Sequence, residues 1–228
     1  MHNLPKFNNF TKALMLAGVV GVFALVNSPK QTPSFTLEIA APVQAAETDN
    51  EETLKNLQAA YNGEANANAL YLAFAEKADE EGYHQVAVLF RAAALAEQIH
   101  RDNHGEVIKL LGGTPEATIE TPEVKSTSEN LEAAIAGESY ERDTMYPGFL
   151  KQAESVGNMD AVNTFRFAME AEAEHAKYYT EAKDNLEDWK EAKFPFFVCP
   201  RCGYTTTELN FATCPVCGEQ KEDFTEVV

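Results

Sequence analysis

The chain has 228 residues, 45% of them apolar, which is enough for one sizeable core and a small second module. Its formal charge of -18 argues against nucleic acid or an anionic membrane surface as a partner. Some of that acid can lie inside the molecule, on a metal, so net charge alone does not describe the outer surface.

The first 45 residues differ from the rest. Lys6 and Lys12 precede ALMLAGVVGVFALV, an uncharged apolar run over residues 13–26. A bilayer span needs roughly 20 such residues, and the shorter run fits the h-region of a secretory signal. Small residues at Val43–Ala45 offer a cleavage site before AETDN. The stretch between run and cut is long for a signal, so an uncleaved anchor is the alternative. The expectation is an exported or membrane-anchored protein outside the cytoplasm, with a cytoplasmic one as the other reading. Residues 1–45 are assigned to this signal or anchor and its linker.

Residues 46–190 read as four helices. ETLKNLQAAYNGEANANALYLAFAEKADEEG repeats apolar residues at helical spacing and stops at Gly82. YHQVAVLFRAAALAEQIHRDNHGEVIKLL is the second helix, closed by Gly112 and Gly113. SENLEAAIAGESYERDTMYPGFLKQAESVG is the third, with Ser128 as its expected N-cap and Pro147 expected to kink it or be accommodated locally. NMDAVNTFRFAMEAEAEHAKYYTEAKDNLEDWKEA is the fourth. Almost nothing joins helices one and two, or three and four, so each pair is an antiparallel hairpin. The sixteen residues from Gly112 to Thr127 reach about 53 Å when extended, against about 42 Å for a 28-residue helix. A loop that crosses the whole bundle gives a mainly α fold, a four-helix bundle with one long crossover and ferritin-like connectivity.

Each helix carries acid on the face that should be apolar. Glu64 stands on the first and Glu138 and Glu141 on the third. The second and fourth carry Glu97-x-x-His100 and Glu172-x-x-His175. Residues three apart share a helix face, and two Glu-x-x-His pairs with further glutamates form the ligand pattern of di-iron carboxylate bundles. Five buried carboxylates without metal would each cost several kcal/mol, whereas two divalent ions nearly balance them. Tyr71 and Tyr146 fall on the same faces as Glu64 and Glu138 and can hydrogen-bond the ligands or be plain core tyrosines. His104 reads as a surface residue, with a place beside the site as the alternative. His84, Glu170 and Glu174 read as solvent-facing.

Residues 191–228 break the helical pattern. CPRCGYTTTELNFATCPVCG holds all four cysteines, Cys199, Cys202, Cys214 and Cys217, in two Cys-Pro-x-Cys-Gly knuckles. This spacing lets four thiolates converge tetrahedrally on one iron or zinc ion, with two disulfides as the alternative. Gly203 and Gly218 allow the positive φ that such a turn needs. Phe194, Phe196, Phe197, Tyr204, Phe211 and Phe224 are the expected core around the sulfurs. A module of about 35 residues needs its metal to fold.

Taken together, residues 47–228 resemble a rubrerythrin. The resemblance rests on Glu64, Glu97-x-x-His100, Glu138-x-x-Glu141, Glu172-x-x-His175, MYP at 145–147 and the two knuckles. It implies a ferritin-like di-iron domain followed by a rubredoxin-like iron domain, and reduction of hydrogen peroxide to water. Electrons would pass from an NAD(P)H-linked donor protein, a rubredoxin or flavoprotein reductase, through the thiolate iron. In the family that iron usually belongs to the partner subunit of a head-to-tail homodimer. By position, Glu97 and Glu172 would bridge the irons, and Glu64, Glu138 and His175 would complete them. Glu141 and His100 would exchange on one iron with redox state, and Tyr71 and Tyr146 would hydrogen-bond the ligands. The N-terminal segment departs from the family, whose members are usually cytoplasmic. Two other classes remain: a ferritin-like iron-oxidising or storage protein, and a zinc-ribbon interaction protein without catalysis.

Overall fold

The structure is a computed structural model and describes residues 43–228. The apolar run at 13–26 and most of the signal or anchor assignment lie outside these residues. Among the described residues, no helix is long and apolar enough to cross a membrane.

The bundle is built from α1 (Val43–Glu80), α2 (His84–Leu110), α3 (Thr127–Tyr140), α4 (Tyr146–Ser155) and α5 (Met159–Asp184). α1 packs along α2, while α3 and α4 pack along α5, so the two expected hairpins are present. The residues between Leu110 and Thr127 form the crossover. It is held to α1 by Asn62 and Asn66, whose side chains accept from Thr118 N and Glu120 N at 2.8 Å each. Ser126, not Ser128, caps α3: its hydroxyl accepts from Glu129 N, and the Glu129 carboxylate accepts from Ser126 N. That reciprocal pair satisfies two otherwise orphaned N–H groups.

The expected third helix is α3 and α4 joined by a π-helical turn, Glu141–Met145, in which Tyr146 N donates to Glu141 O. Pro147 explains the widening. It has no N–H to give, and its ring would strike the carbonyl one turn back. The extra residue absorbs the misfit without ending the helix, and such π-bulges often mark functional sites.

Two apolar layers fill the bundle. One holds Tyr71, Phe74, Phe90, Tyr179 and the buried alanines 92, 93, 94 and 96 of α2. The other holds Leu57, Ile108, Tyr146 and Phe165. Along α1, α2 and α5 the acidic positions fall between these layers, so the metal-ligand candidates sit mid-bundle.

α6 (Leu186–Glu191) leads to a three-stranded antiparallel sheet, ordered β2 (Thr205–Thr206), β1 (Phe196–Val198), β3 (Thr225–Val227). Successive strand residues face opposite ways, and this corrects the expected module core. Phe197, Tyr204, Phe211 and Phe224 pack around the cysteines. Phe196 and Val198 face the other way and, with Phe194 and Trp189, join the bundle core. Gln85 of α2 fastens this seam by exchanging two bonds with the Phe194 backbone, at 2.9 and 3.0 Å.

Candidate metal centres

Glu64, Glu97, His100, Glu138, Glu172 and His175 are all essentially inaccessible to solvent. Two sets of four converge, each with its donor atoms within 4.8 Å of one another: Glu64, Glu97, His100 and Glu172, and Glu97, Glu138, Glu172 and His175. Glu97 and Glu172 belong to both. His100 Nδ1 lies 2.9 Å from Glu97 and 3.1 Å from Glu172. His175 Nδ1 lies 2.9, 3.3 and 3.5 Å from Glu172, Glu97 and Glu138.

These donors point at common centres more than at each other. Glu64 Oε2, Glu97 Oε1, Glu138 Oε2, both Glu172 oxygens and His175 Nδ1 are buried and make no hydrogen bond. Native proteins rarely tolerate so many orphaned polar atoms, and a pair of cations explains them. The electrostatics agree. Burial, then the neighbouring Glu97 and Glu172 carboxylates, push Glu138 up to about 8. Burial also drives Glu64 and Glu141 well above the carboxylate range. Burial opposes charge on His100, yet the Glu172 carboxylate beside it prevails and raises it to about 10. Without metal, the cluster recruits protons as its cations.

Glu141, in the π-turn, is half-buried and stands outside both convergent sets. His100 holds the place beside Glu64 instead. Tyr71 donates to Glu138 Oε1 at 2.8 Å, and Tyr146 donates to Glu64 Oε1. Each expected tyrosine thus bonds one oxygen of a cluster carboxylate and leaves the other, Oε2, unbonded.

In the module, Cys199 and Cys217 Sγ are 3.5 Å apart and Cys202 and Cys214 Sγ 3.6 Å, with all four mutually within 4.8 Å. A disulfide requires about 2.05 Å. A tetrahedron with ~2.3 Å metal–sulfur bonds has edges near 3.8 Å, so the spacing is that of an S4 metal site. Gly203 and Gly218 have φ of +76° and +78°, as the knuckle turns require.

The first knuckle lies directly on the bundle site. His100 Nε2 is 3.1 Å from the Cys202 carbonyl oxygen. His175 Nε2 is 3.0 Å from Thr205 Oγ1, and Asn103 donates to Arg201 O at 2.9 Å. A Cβ on Gly203 would collide with the His100 ring.

The sequence model of the rubrerythrin family matches residues 55–183, more than half of the chain. This chain belongs to the rubrerythrin family. It is similar to nigerythrin of Nitratidesulfovibrio vulgaris, 40% identical over 174 residues that cover 76% of this chain and 85% of that protein. Rubrerythrin-2 of Clostridium acetobutylicum is 35% identical over 77% of this chain and 96% of its own length. Among solved structures, nigerythrin in a mixed-valence state superposes with a TM-score of 0.72 at 38% identity, covering 76% of this chain and 86% of that one. Desulfovibrio desulfuricans bacterioferritin, at 24% identity and a TM-score of 0.59, shares the fold. As a rubrerythrin-family protein, the chain carries two iron ions in the bundle and one iron on the four cysteines.

Two further residues stand beside the rubrerythrin site: His104, for which the sequence offered this place only as the alternative, and Tyr179, which its spacing does not single out. His104 is fully buried, correcting the surface expectation. Its Nε2 lies 3.1 Å from Tyr146 Oη and its Nδ1 2.9 Å from Thr164 Oγ1. Burial, then the neighbouring His100, lower it to about 3, so it is neutral. Tyr179 is buried against Tyr71 with its hydroxyl unbonded. Glu-x-x-His spacing points to neither, because their neighbours come from other helices. The solvent-facing expectations are met at His84 and Glu170, while Glu174 is half-buried and paired with Lys177 at 2.8 Å.

Proposed function

We propose that the chain is a peroxidase that reduces hydrogen peroxide to water, with electrons relayed from the thiolate iron to the di-iron pair. One observation carries this reading: His100 presents Nδ1 to the carboxylate cluster while Nε2 meets the carbonyl of Cys202, a thiolate of the other centre. A single imidazole thus links the two sites. Each peroxide consumed takes two electrons and two protons and yields two waters. When bound, the iron pair supplies the electrons and polarises the O–O bond.

The chain's own residues do the rest. Glu97 and Glu172, common to both sets, would bridge the irons, with Glu64 and His100 on one side and Glu138 and His175 on the other. Glu141, one π-turn away, would exchange with His100 as charge changes. A carboxylate suits the ferric ion and a neutral imidazole the ferrous one. Tyr71 and Tyr146 hold their glutamates in orientation, and the docked module helps to exclude bulk water. Reducing equivalents would come from NAD(P)H through a rubredoxin or flavoprotein donor, in oxidative-stress defence.

The family resemblance implies a relay from the partner of a head-to-tail homodimer. In this structure the knuckle contacts are made within one chain, and we take the relay to run within it, whatever homo-oligomer forms. Co-refolding Cys202→Ser with Glu97→Ala chains tests this: no recovery of turnover is expected, and recovery would show that modules exchange between copies.

The peroxidase reading is tested with Cys202→Ser. The variant should lose turnover with an external donor, while its chemically pre-reduced bundle still consumes one equivalent of peroxide. Wild-type turnover would refute the relay, and failure of the pre-reduced protein to consume peroxide would refute the reaction. We also propose export or membrane anchoring from the apolar run at 13–26. In the native host the mature chain should begin near Ala46 or fractionate with membranes, and a soluble cytoplasmic protein retaining Met1 would refute it.

A further inference from the structure

We propose that Thr205 is a positioning residue for the iron held by His175, so that seating of the module sets the properties of both bundle irons. The inference rests on the metal-ligand reading of His175 but not on the peroxidase reaction.

His175 Nδ1 faces Glu172, Glu97 and Glu138. A metal taking the Nδ1 lone pair leaves the ring proton on Nε2, which then needs an acceptor. The atom in reach is Thr205 Oγ1 at 3.0 Å. Thr205 donates its own hydroxyl proton to Gly203 O at 2.9 Å, so the rotor is fixed and an oxygen lone pair is free to accept. The direction is therefore set: His175 N–H to Thr205 hydroxyl, and Thr205 O–H to the Gly203 carbonyl. Thr205 is fully buried, so water does not substitute. Its backbone is pinned in β2 opposite Val198, a strand residue embedded in the bundle core.

His100 makes the matching bond to the Cys202 carbonyl. The segment 202–205 thereby accepts the outer proton of both imidazoles, one through backbone and the other through a side chain. Only the second can be altered by substitution without touching a thiolate or a metal ligand. An acceptor on the outer nitrogen orients a ligating imidazole and makes it a stronger donor, and losing one typically costs 10–100-fold in metal affinity. A stronger donor favours the ferric ion, so loss of the hydroxyl should raise the di-iron potential.

The test uses the full-length, iron-loaded protein. Thr205→Val keeps the β-branched shape and removes the acceptor, whereas Thr205→Ser keeps the acceptor and removes a methyl group. After anaerobic reduction, retention of bundle iron against a chelator is measured, together with the di-iron midpoint potential and the ferric-thiolate absorption of the module. Thr205→Val should weaken retention of one iron by about 10–100-fold and raise the potential. Thr205→Ser should restore both, and the thiolate band should stay unchanged throughout. Wild-type retention and potential in Thr205→Val would overturn the proposal. So would an altered thiolate band, or a Thr205→Ser variant as impaired as Thr205→Val, because either means the module is merely disrupted. None of these measurements involves peroxide, so failure of the peroxidase reading would leave the result intact.

Discussion

The bundle and the C-terminal module both surround a metal, but they depend on it in opposite ways. The bundle has two apolar layers with large buried side chains, Phe74, Phe90 and Tyr179 in one and Tyr146 and Phe165 in the other. Its acidic layer opposes folding. The module has a few aromatic residues and four thiols, and its sheet strands are two or three residues long. The bundle tolerates its site, whereas the module is organised by its site. The seam joins them unevenly, since Phe196 and Val198 are module residues that serve the bundle core.

The largest expected effect follows from that contrast. Cys214→Ser, or removal of the thiolate metal, should unfold the module while leaving the helices in place. Circular dichroism should retain most of the helical signal as the thiolate absorption vanishes. Protease should cut within 199–228 and spare α1 to α5. If the helices melt together with the module, the two regions form one cooperative unit and the contrast fails.

Gly203→Ala probes the seam. The residue has φ of +76°, and an added Cβ would meet the His100 imidazole. The backbone strain alone is worth about 1–2 kcal/mol, and the collision adds to it. The module should keep its metal but lift from the bundle, slowing reduction of the di-iron pair by its own thiolate iron. Rapid-mixing spectroscopy of that transfer is the measurement, and an unchanged rate would show that the contact is dispensable.

The acidic layer predicts a pH dependence confined to the bundle and to its metal-free form. Glu138, pushed up to about 8 by burial from 4.5, binds more protons folded than unfolded, so stability falls as pH rises between those values. His100, raised from 6.5 to about 10 by Glu172 against its burial, acts in the same sense up to about 10. Glu97 acts in the opposite sense. Burial notwithstanding, the two histidines lower it to about 2, so its contribution is present above 4.5 and lost as pH falls toward 2. The metal-free bundle should therefore be most stable near pH 4.5 and lose on the order of several kcal/mol by pH 9. With iron bound, the carboxylates are ionised and the imidazoles neutral, so stability should rise slightly from about pH 5 to 7 and the fall toward pH 9 should be absent. Thermal unfolding of both forms across pH 5 to 9 checks the sign.

Much of this could be read from residue order. The two Glu-x-x-His pairs, the knuckles and the sixteen-residue crossover are local patterns, and local spacing determines which face of a helix a side chain occupies. What escaped depends on contacts between distant segments. The π-turn before Pro147 could be anticipated as a kink but not as an inserted residue. Ser126 and Ser128 are equally good caps by composition, and only the Glu129 partner decides between them. Phe194 and Phe196 look like module core because they adjoin the cysteines, but strand alternation and the position of α2 send them to the bundle. Thr205 gains its meaning from a histidine 30 residues earlier.

His104, whose place beside the site the sequence offered only as the alternative, gives the smallest expected effect. With Glu64 ionised on a metal, Tyr146 must donate its one proton to it. Tyr146 Oη then accepts from His104 Nε2–H, and His104 Nδ1 accepts from Thr164 O–H. Every donor in this chain points toward the acidic layer, and the imidazole is neutral. His104→Leu removes the middle link without adding charge. Thr164 can turn its hydroxyl to a carbonyl of its own helix, and Tyr146 keeps its bond to Glu64. The cost should be about 1–3 kcal/mol, or several degrees in the melting temperature of the iron-loaded protein. Bundle iron should be retained. If the variant loses iron as readily as a Glu64 substitution does, His104 acts on the metal and not only on the tyrosine. In that case the apolar layer below the site would be as metal-dependent as the module, and the contrast between the two regions would have to be redrawn.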